Sequence, residues 1–168
     1  MAPSNTTYGL WQKLPHNIVG QAAFSVGMCL RVPYFCSVLP RVRRLEPGRC
    51  EVTAPTWWGI RNHLGTFHAI AACNLAEVAM GMLAEATVPP SHRWIPKEMT
   101  VRYIAKATTS LTAVAELPSI PNFDAIDGAD LVVPVSITDR AGVEVVHADI
   151  TVWLSRAASG DTSVAPHT

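Results

Sequence analysis

The order of apolar and polar positions divides the chain into recognisable elements. Residues 18–30 read as a helix. Ile18, Ala22, Phe24 and Met28 cover more than one of its faces, so it packs under other elements. Pro33 ends it, and a short apolar turn over residues 34–39 precedes Pro40. RVRRLE and RCEVTA then flank Pro47-Gly48, the signature of two strands joined by a type II turn. Residues 66–86 form a longer helix that is apolar on every side, with Thr66 as the expected N-cap and Pro89-Pro90 as the stop. Beyond it the period falls to two. Strands are expected around residues 100–105, 111–117, 131–137 and 145–154, with Pro134 marking an edge or a bulge. Asp139 to Gly142 is a hairpin turn signal.

A helix apolar all round needs cover on every side. A strongly curved antiparallel sheet can wrap most of it, and a second subunit can cover the rest. The expected class is therefore α+β. Residues 1–40 form an N-terminal helical extension, 41–156 the main domain and 157–168 a flexible tail.

Composition adds limits. Of 168 residues, 49% are hydrophobic and only 15% charged, a surplus that suits a subunit interface or an acyl pocket. Thirteen basic and thirteen acidic residues give a net charge of +0, so no overall basic field calls for nucleic acid. Arg41, Arg43, Arg44 and Arg49 do cluster, either as a solvated strand face or as a landing site for phosphates. Cys29, Cys36, Cys50 and Cys73 form no CxxC pair, and no histidine spacing completes a metal site. All four are read as reduced thiols of a cytoplasmic protein. The first residues lack a positive n-region, and IVGQAAFSVGMCL is too short and too interrupted to span a bilayer.

One polar set interrupts the long helix. Asn62, Gly65 and His68 stand at its entrance, and Glu77 lies in its apolar middle. RNHLGTFHAIAACNLAE resembles the signature of the hotdog-fold acyl-CoA thioesterases of the phenylacetate-pathway type. That signature runs Asn-x-x-Gly-x-x-His-Gly-Gly, with an acidic residue eight positions after the first of the paired glycines. Asn62, Gly65, His68 and Glu77 match it, while Ala69 and Ile70 replace the glycines. Downstream, VRYIAKATTSLTAVAEL is similar to the family's central strand pair, with Lys106-Ala107 where Pro-Ala is usual. The resemblance covers roughly residues 41–156 and points to a separate bacterial branch.

The resemblance implies a hotdog fold, a curved antiparallel sheet around a long central helix. It implies a thioesterase acting on an acyl-CoA or acyl-carrier-protein thioester, with no cofactor beyond coenzyme A as part of the substrate. The backbone N–H of Ala69 would polarise the thioester carbonyl, Asn62 would hold a water or the thioester, and Glu77 would act as general base or nucleophile. Gly65 and His68 would shape the loop. The residues themselves leave Trp58 as core packing or a pocket wall, and Arg61 as a flank of the substrate site or an ion-pair partner of Glu77. A hydroxyl that the family often draws from the next strand of the partner subunit would be lost, or would fall to Thr100, since Pro96 occupies its place; Arg102 lies nearby.

Elementary geometry adds a condition of its own. The first turn of a helix carries unpaired N–H groups and a positive dipole end, which suit a developing oxyanion. Eight residues along a helix span about 12 Å, too far for Glu77 to meet a carbonyl held at Ala69 of the same chain. Two antiparallel copies would bring Glu77 of one opposite Ala69 of the other. The expected assembly is thus a homodimer, or a dimer of dimers, with shared sites. The rival reading is a non-catalytic acyl-CoA binding or sensing protein with the same pocket. A hotdog dehydratase needs a differently spaced Asp and His pair, which the sequence lacks.

Overall fold

The structure, a computed structural model, describes residues 6–157; the expected tail from residue 158 onward lies outside the described residues. Among these residues are three α-helices: α1 (Thr6–Lys13), α2 (Ile18–Arg31) and α3 (Ala69–Thr87). Six strands follow the same chain order: β1 (Arg41–Glu46), β2 (Arg49–Ala54), β3 (His92–Tyr103), β4 (Leu111–Glu116), β5 (Ala129–Thr138) and β6 (Glu144–Arg156). Short 3-10 turns lie at Pro33–Val38, Trp58–Ile60 and Phe123–Ala125. All six strands join one antiparallel sheet in the order β1-β2-β4-β5-β6-β3.

The helix α3 touches every strand of that sheet, which must therefore curve around it. This is the hotdog architecture the sequence led us to expect. Ala, Leu and Met dominate α3 and favour helix. Eleven of its nineteen residues are buried, among them Leu75, Val78, Met80 and Leu83. Its length and composition would suffice to cross a bilayer, yet here it is the core helix of the domain. The inward strand residues complete the core: Val52, Ala113, Val135, Ala148 and Ile150 are all essentially inaccessible. Phe24, Met28, Met80 and Met82 lie in the same core, packed against protein.

Several boundaries differ from the sequence pattern. The helix α3 begins at Ala69, and its N-cap is His68 in place of the expected Thr66. Thr66 is instead consumed by the preceding loop, where its hydroxyl bonds with Asn62. At the other end the Thr87 hydroxyl donates to the Leu83 carbonyl and accepts from Gly48 N–H, which stitches the helix terminus to the β1–β2 turn. Gly48 has φ +81°, the backbone a type II turn demands at its second central position. The strand β3 starts eight residues earlier than its alternation suggests, because Pro96 and an adjacent bulge break the pattern. Pro96 is tolerated there since β3 is an edge strand. Pro134 sits in β5 just beyond the last residue paired with β4, opposite Asp149 of β6. The helix α1 was not separately legible in the sequence.

The two sheet edges differ. Along β1, helix α2 lies against the backbone. Ser25 Oγ accepts the N–H of Val42, and Gln21 Nε2 donates to the Arg43 carbonyl. The far side of β3 pairs with no strand among the described residues, and it runs for twelve residues.

Candidate functional site

The loop before α3 is fixed at both ends. Phe67 is buried, and its N–H donates to the Ala107 carbonyl; the His68 N–H donates to the Ile60 carbonyl. Between them Asn62 organises the turn. Its Oδ1 accepts from Leu64 N–H at 3.0 Å and Thr66 N–H at 3.2 Å, and its Nδ2 donates to the Thr66 hydroxyl at 2.9 Å. Asx side chains that bond their own backbone in this way stabilise turns. Gly65 closes the turn with φ +74°, a conformation that a side chain strains. Asn62 and Gly65 therefore shape the helix entrance directly.

His68 caps the helix with its ring. Nδ1 accepts the N–H of Ile70 at 3.1 Å, which places the ring proton of the neutral imidazole on Nε2. The first intrahelical bond runs from Ala72 N–H to the His68 carbonyl. The N–H groups of Ala69 and Ala71 have no acceptor among the described residues. Two orphan donors thus remain at the positive end of a nineteen-residue helix.

From this entrance an open stripe runs down α3. Ile70 is 59% exposed, and Cys73 and Glu77 are half-buried, at i, i+3 and i+7 on one face. The carboxylate of Glu77 makes no hydrogen bond or ion pair among the described residues. The 3-10 turn at Pro33–Val38 borders the stripe on one side. Asn74, only 5% exposed, donates from Nδ2 to Ser37 Oγ at 2.9 Å. Its amide is thus turned to the N-terminal extension and does not orient Glu77. The strand β3 borders the other side. Tyr103 Oη lies 3.2 Å from Cys73 Sγ, and this contact, with partial burial, pushes the phenol up to about 12.

The remaining sequence candidates lie apart. Arg61 is exposed in the loop, bridged through its backbone to Phe67. Trp58 is 85% exposed, edge-on to the half-buried Trp57. Thr100 and Arg102 point to the outer face of the sheet, away from α3. Their cross-strand partners are Asp149 and His147. There the His147 ring and the Ser136 hydroxyl donate to Glu144, at 2.9 and 2.7 Å. Those hydrogen bonds, helped by Arg102, hold the Glu144 carboxyl below its usual range. Within one chain, then, Asn62, Gly65, His68 and Ala69 come together, Glu77 lies two turns along the same stripe, and Thr100 and Arg102 face elsewhere. The i−3 spacing of Asn74 predicts that it orients Glu77; its contact with Ser37, like that of Cys73 with Tyr103, crosses between elements and is not legible in a local pattern. All four cysteines are free thiols, and burial pushes that of Cys50 far up. Among the described residues no His, Cys, Asp or Glu cluster could hold a metal.

The domain of unknown function designated DUF4442 matches residues 20–154. The chain belongs to the DUF4442 family. No functionally curated protein matches it. A crystal structure from a genomics programme is 42% identical and superimposes with a TM-score of 0.78, over 90% of this DUF4442 chain and 99% of the other. A protein of unknown function from Pseudomonas aeruginosa, described as a probable thioesterase, is 24% identical with a TM-score of 0.71, over 77% and 91% of the two chains. A thioesterase from Staphylococcus aureus is 17% identical with a TM-score of 0.64, over 73% and 98%. These last two likenesses establish the fold that DUF4442 shares with them.

Proposed function

We propose that the protein is a thioesterase that hydrolyses an acyl-CoA or acyl-carrier-protein thioester at a site shared between two subunits. The observation that carries this reading is the half-buried, unpartnered carboxylate of Glu77, on the open stripe that runs down α3 from the entrance where the N–H of Ala69 is left without an acceptor. A carboxylate in an apolar helix without a partner in its own chain suits one that completes its surroundings in a dimer. The unpaired edge of β3 offers a second copy a strand to pair with. The description of the similar S. aureus protein as a thioesterase supports the same class.

In this reading the thioester carbonyl of the substrate lies at the helix entrance of one subunit, where Ala69 N–H stabilises the charge that forms on oxygen. Glu77 of the partner subunit takes a proton from water as it attacks the carbonyl carbon. The tetrahedral intermediate then collapses, the C–S bond breaks and the thiolate leaves with that proton. Direct attack by the carboxylate would give an anhydride that water resolves to the same products.

A second reading, an acyl-CoA binding or sensing protein without turnover, draws on Asn62. Its Oδ1 is already filled by Leu64, Thr66 N–H and the Thr66 hydroxyl, which leaves it little capacity to hold a water. One experiment separates the two. Wild type and Glu77→Gln are assayed against acyl-CoAs of graded chain length, with binding followed by calorimetry. The thioesterase reading expects turnover that Glu77→Gln reduces about 10²- to 10⁴-fold while binding persists. Tight binding without turnover in both proteins would establish the sensor instead.

A further inference from the structure

The arginine cluster is not absorbed by the thioester reading. Three of its four guanidiniums are engaged by the chain. Arg41 donates to the Ile18 carbonyl at 3.1 Å, Arg49 pairs with Glu116, and Arg44 pairs with Glu46 at 2.8 Å. The guanidinium of Arg43 has no partner among the described residues. A bulge in β1 between Val42 and Arg44 explains its setting. Alternation would send consecutive residues to opposite faces, but a bulge sets two residues against one and re-aims a side chain. Arg43 and Arg44 are accordingly both exposed, between the buried Val42 and Leu45.

Both arginines line a cleft of about 410 Å³ between β1 and the α1–α2 corner, together with Tyr8, Trp11, Gln12 and His16. The cleft's wall is anchored. Trp11 is buried and meets Phe24 edge-on at 5.0 Å, and His16 meets Trp11 edge-on at 5.6 Å. Gly20 allows the Pro15 carbonyl to approach α2 so closely that a methyl group there would collide with it. The lining carries two guanidiniums and an imidazole, which keeps an N–H in either protonation state, against the single carboxylate of Glu46. That carboxylate already pairs with Arg44, through Nη2. The volume falls within the range of small-molecule sites and exceeds the needs of a bare phosphate ion.

We propose that this cleft binds a phosphorylated small molecule, with Arg43 as the direct ligand of its phosphate. Arg44, paired with Glu46, flanks the same group, and Tyr8 and Gln12 border the organic part. A planar fork that donates two parallel hydrogen bonds is the side chain best matched to phosphate oxygens. The phosphate has two conceivable sources: the nucleotide end of a coenzyme A substrate, or a separate phosphorylated metabolite.

Calorimetry on the full chain tests the site without turnover, so it stands or falls apart from the thioester reading. The probes are pyrophosphate, adenosine 3′,5′-bisphosphate and coenzyme A. Saturable binding that Arg43→Ala weakens about tenfold, and Arg49→Ala leaves unchanged, is the expected result. If coenzyme A and the bisphosphate weaken in parallel, the phosphate is the substrate's own. If the bisphosphate or pyrophosphate weakens while coenzyme A does not, the ligand is a separate metabolite. No saturable heat from any probe would overturn the proposal, as would equal losses in the Arg43 and Arg49 variants, which would mark a diffuse basic surface. Arg43→Gln, which keeps the apolar stem, replaces the alanine variant should that one lose its cooperative melt.

Discussion

At the scale of single residues, the helix entrance depends on a few backbone demands. Gly65 has positive φ, and a Cβ there would meet nothing within 4 Å, so a side chain would be opposed by backbone strain alone. Gly65→Ala should therefore destabilise the protein by about 1–2 kcal/mol in urea denaturation without loss of secondary structure. An unchanged midpoint would mean that the loop relaxes to another turn. On the outer face, Glu144 has its carboxyl held down by His147 and Ser136. A depressed folded value contributes stability that is present above the usual carboxylate range of about 4.3 and is lost as pH falls through the folded value. The Tm gap between wild type and Glu144→Gln should thus be widest near neutral pH and close on acidification; a gap independent of pH would refute the assignment. Asn62 was legible in the sequence as a residue of the helix entrance. Its saturation by Leu64 and Thr66 was not, because which hydrogen bonds an amide makes depends on the closed turn.

At the scale of elements, the periodic signals were strongest where one face is buried. The alternation of β6 and the apolar run of α3 both appear as read, because burial fixes their side chains to faces. The first half of β3 escaped notice for the opposite reason. It is an edge strand, most of its residues from Arg93 to Glu98 are exposed, and Pro96 with its bulge removes the period. Thr66 looked like the cap of α3 because hydroxyls are good caps. His68 took the role once the Arg61–Phe67 bridge had closed the loop and drawn Thr66 to Asn62. The other edge of the sheet depends on α2. Ser25 Oγ is buried, donates to the Gln21 carbonyl and accepts the Val42 N–H. Ser25→Ala leaves that N–H without a partner and should cost about 1–3 kcal/mol by chemical denaturation. Wild-type stability in this variant would mean that the β1 edge finds another acceptor.

At the scale of the whole molecule, the far edge of β3 and the stripe of Ile70, Cys73 and Glu77 on the largely buried α3 both lack cover from the described residues. Both belong to the face on which the proposed second subunit would sit. Light scattering should then give twice the chain mass of 18.1 kDa. Ile70→Glu places a charge at the proposed contact, and it should shift the mass to that of a monomer and abolish hydrolysis together. Retained activity in a monomeric Ile70→Glu protein would show that each chain carries a complete site. That outcome would contradict the geometry, since about 12 Å of helix separates Glu77 from Ala69.

By itself the sequence determined the class of fold and the position of the helix entrance. Both follow from local rules: period, turn chemistry at Pro47-Gly48, and a polar group spaced along an apolar helix. Only the tertiary structure decided which strand edge α2 covers, which way Asn74 turns, and that Thr100 and Arg102 face away from α3. It also showed the bulge that sets Arg43 and Arg44 side by side over a cleft. These depend on strand register and on contacts between elements distant in the chain, and no local pattern of apolar and polar residues encodes such contacts.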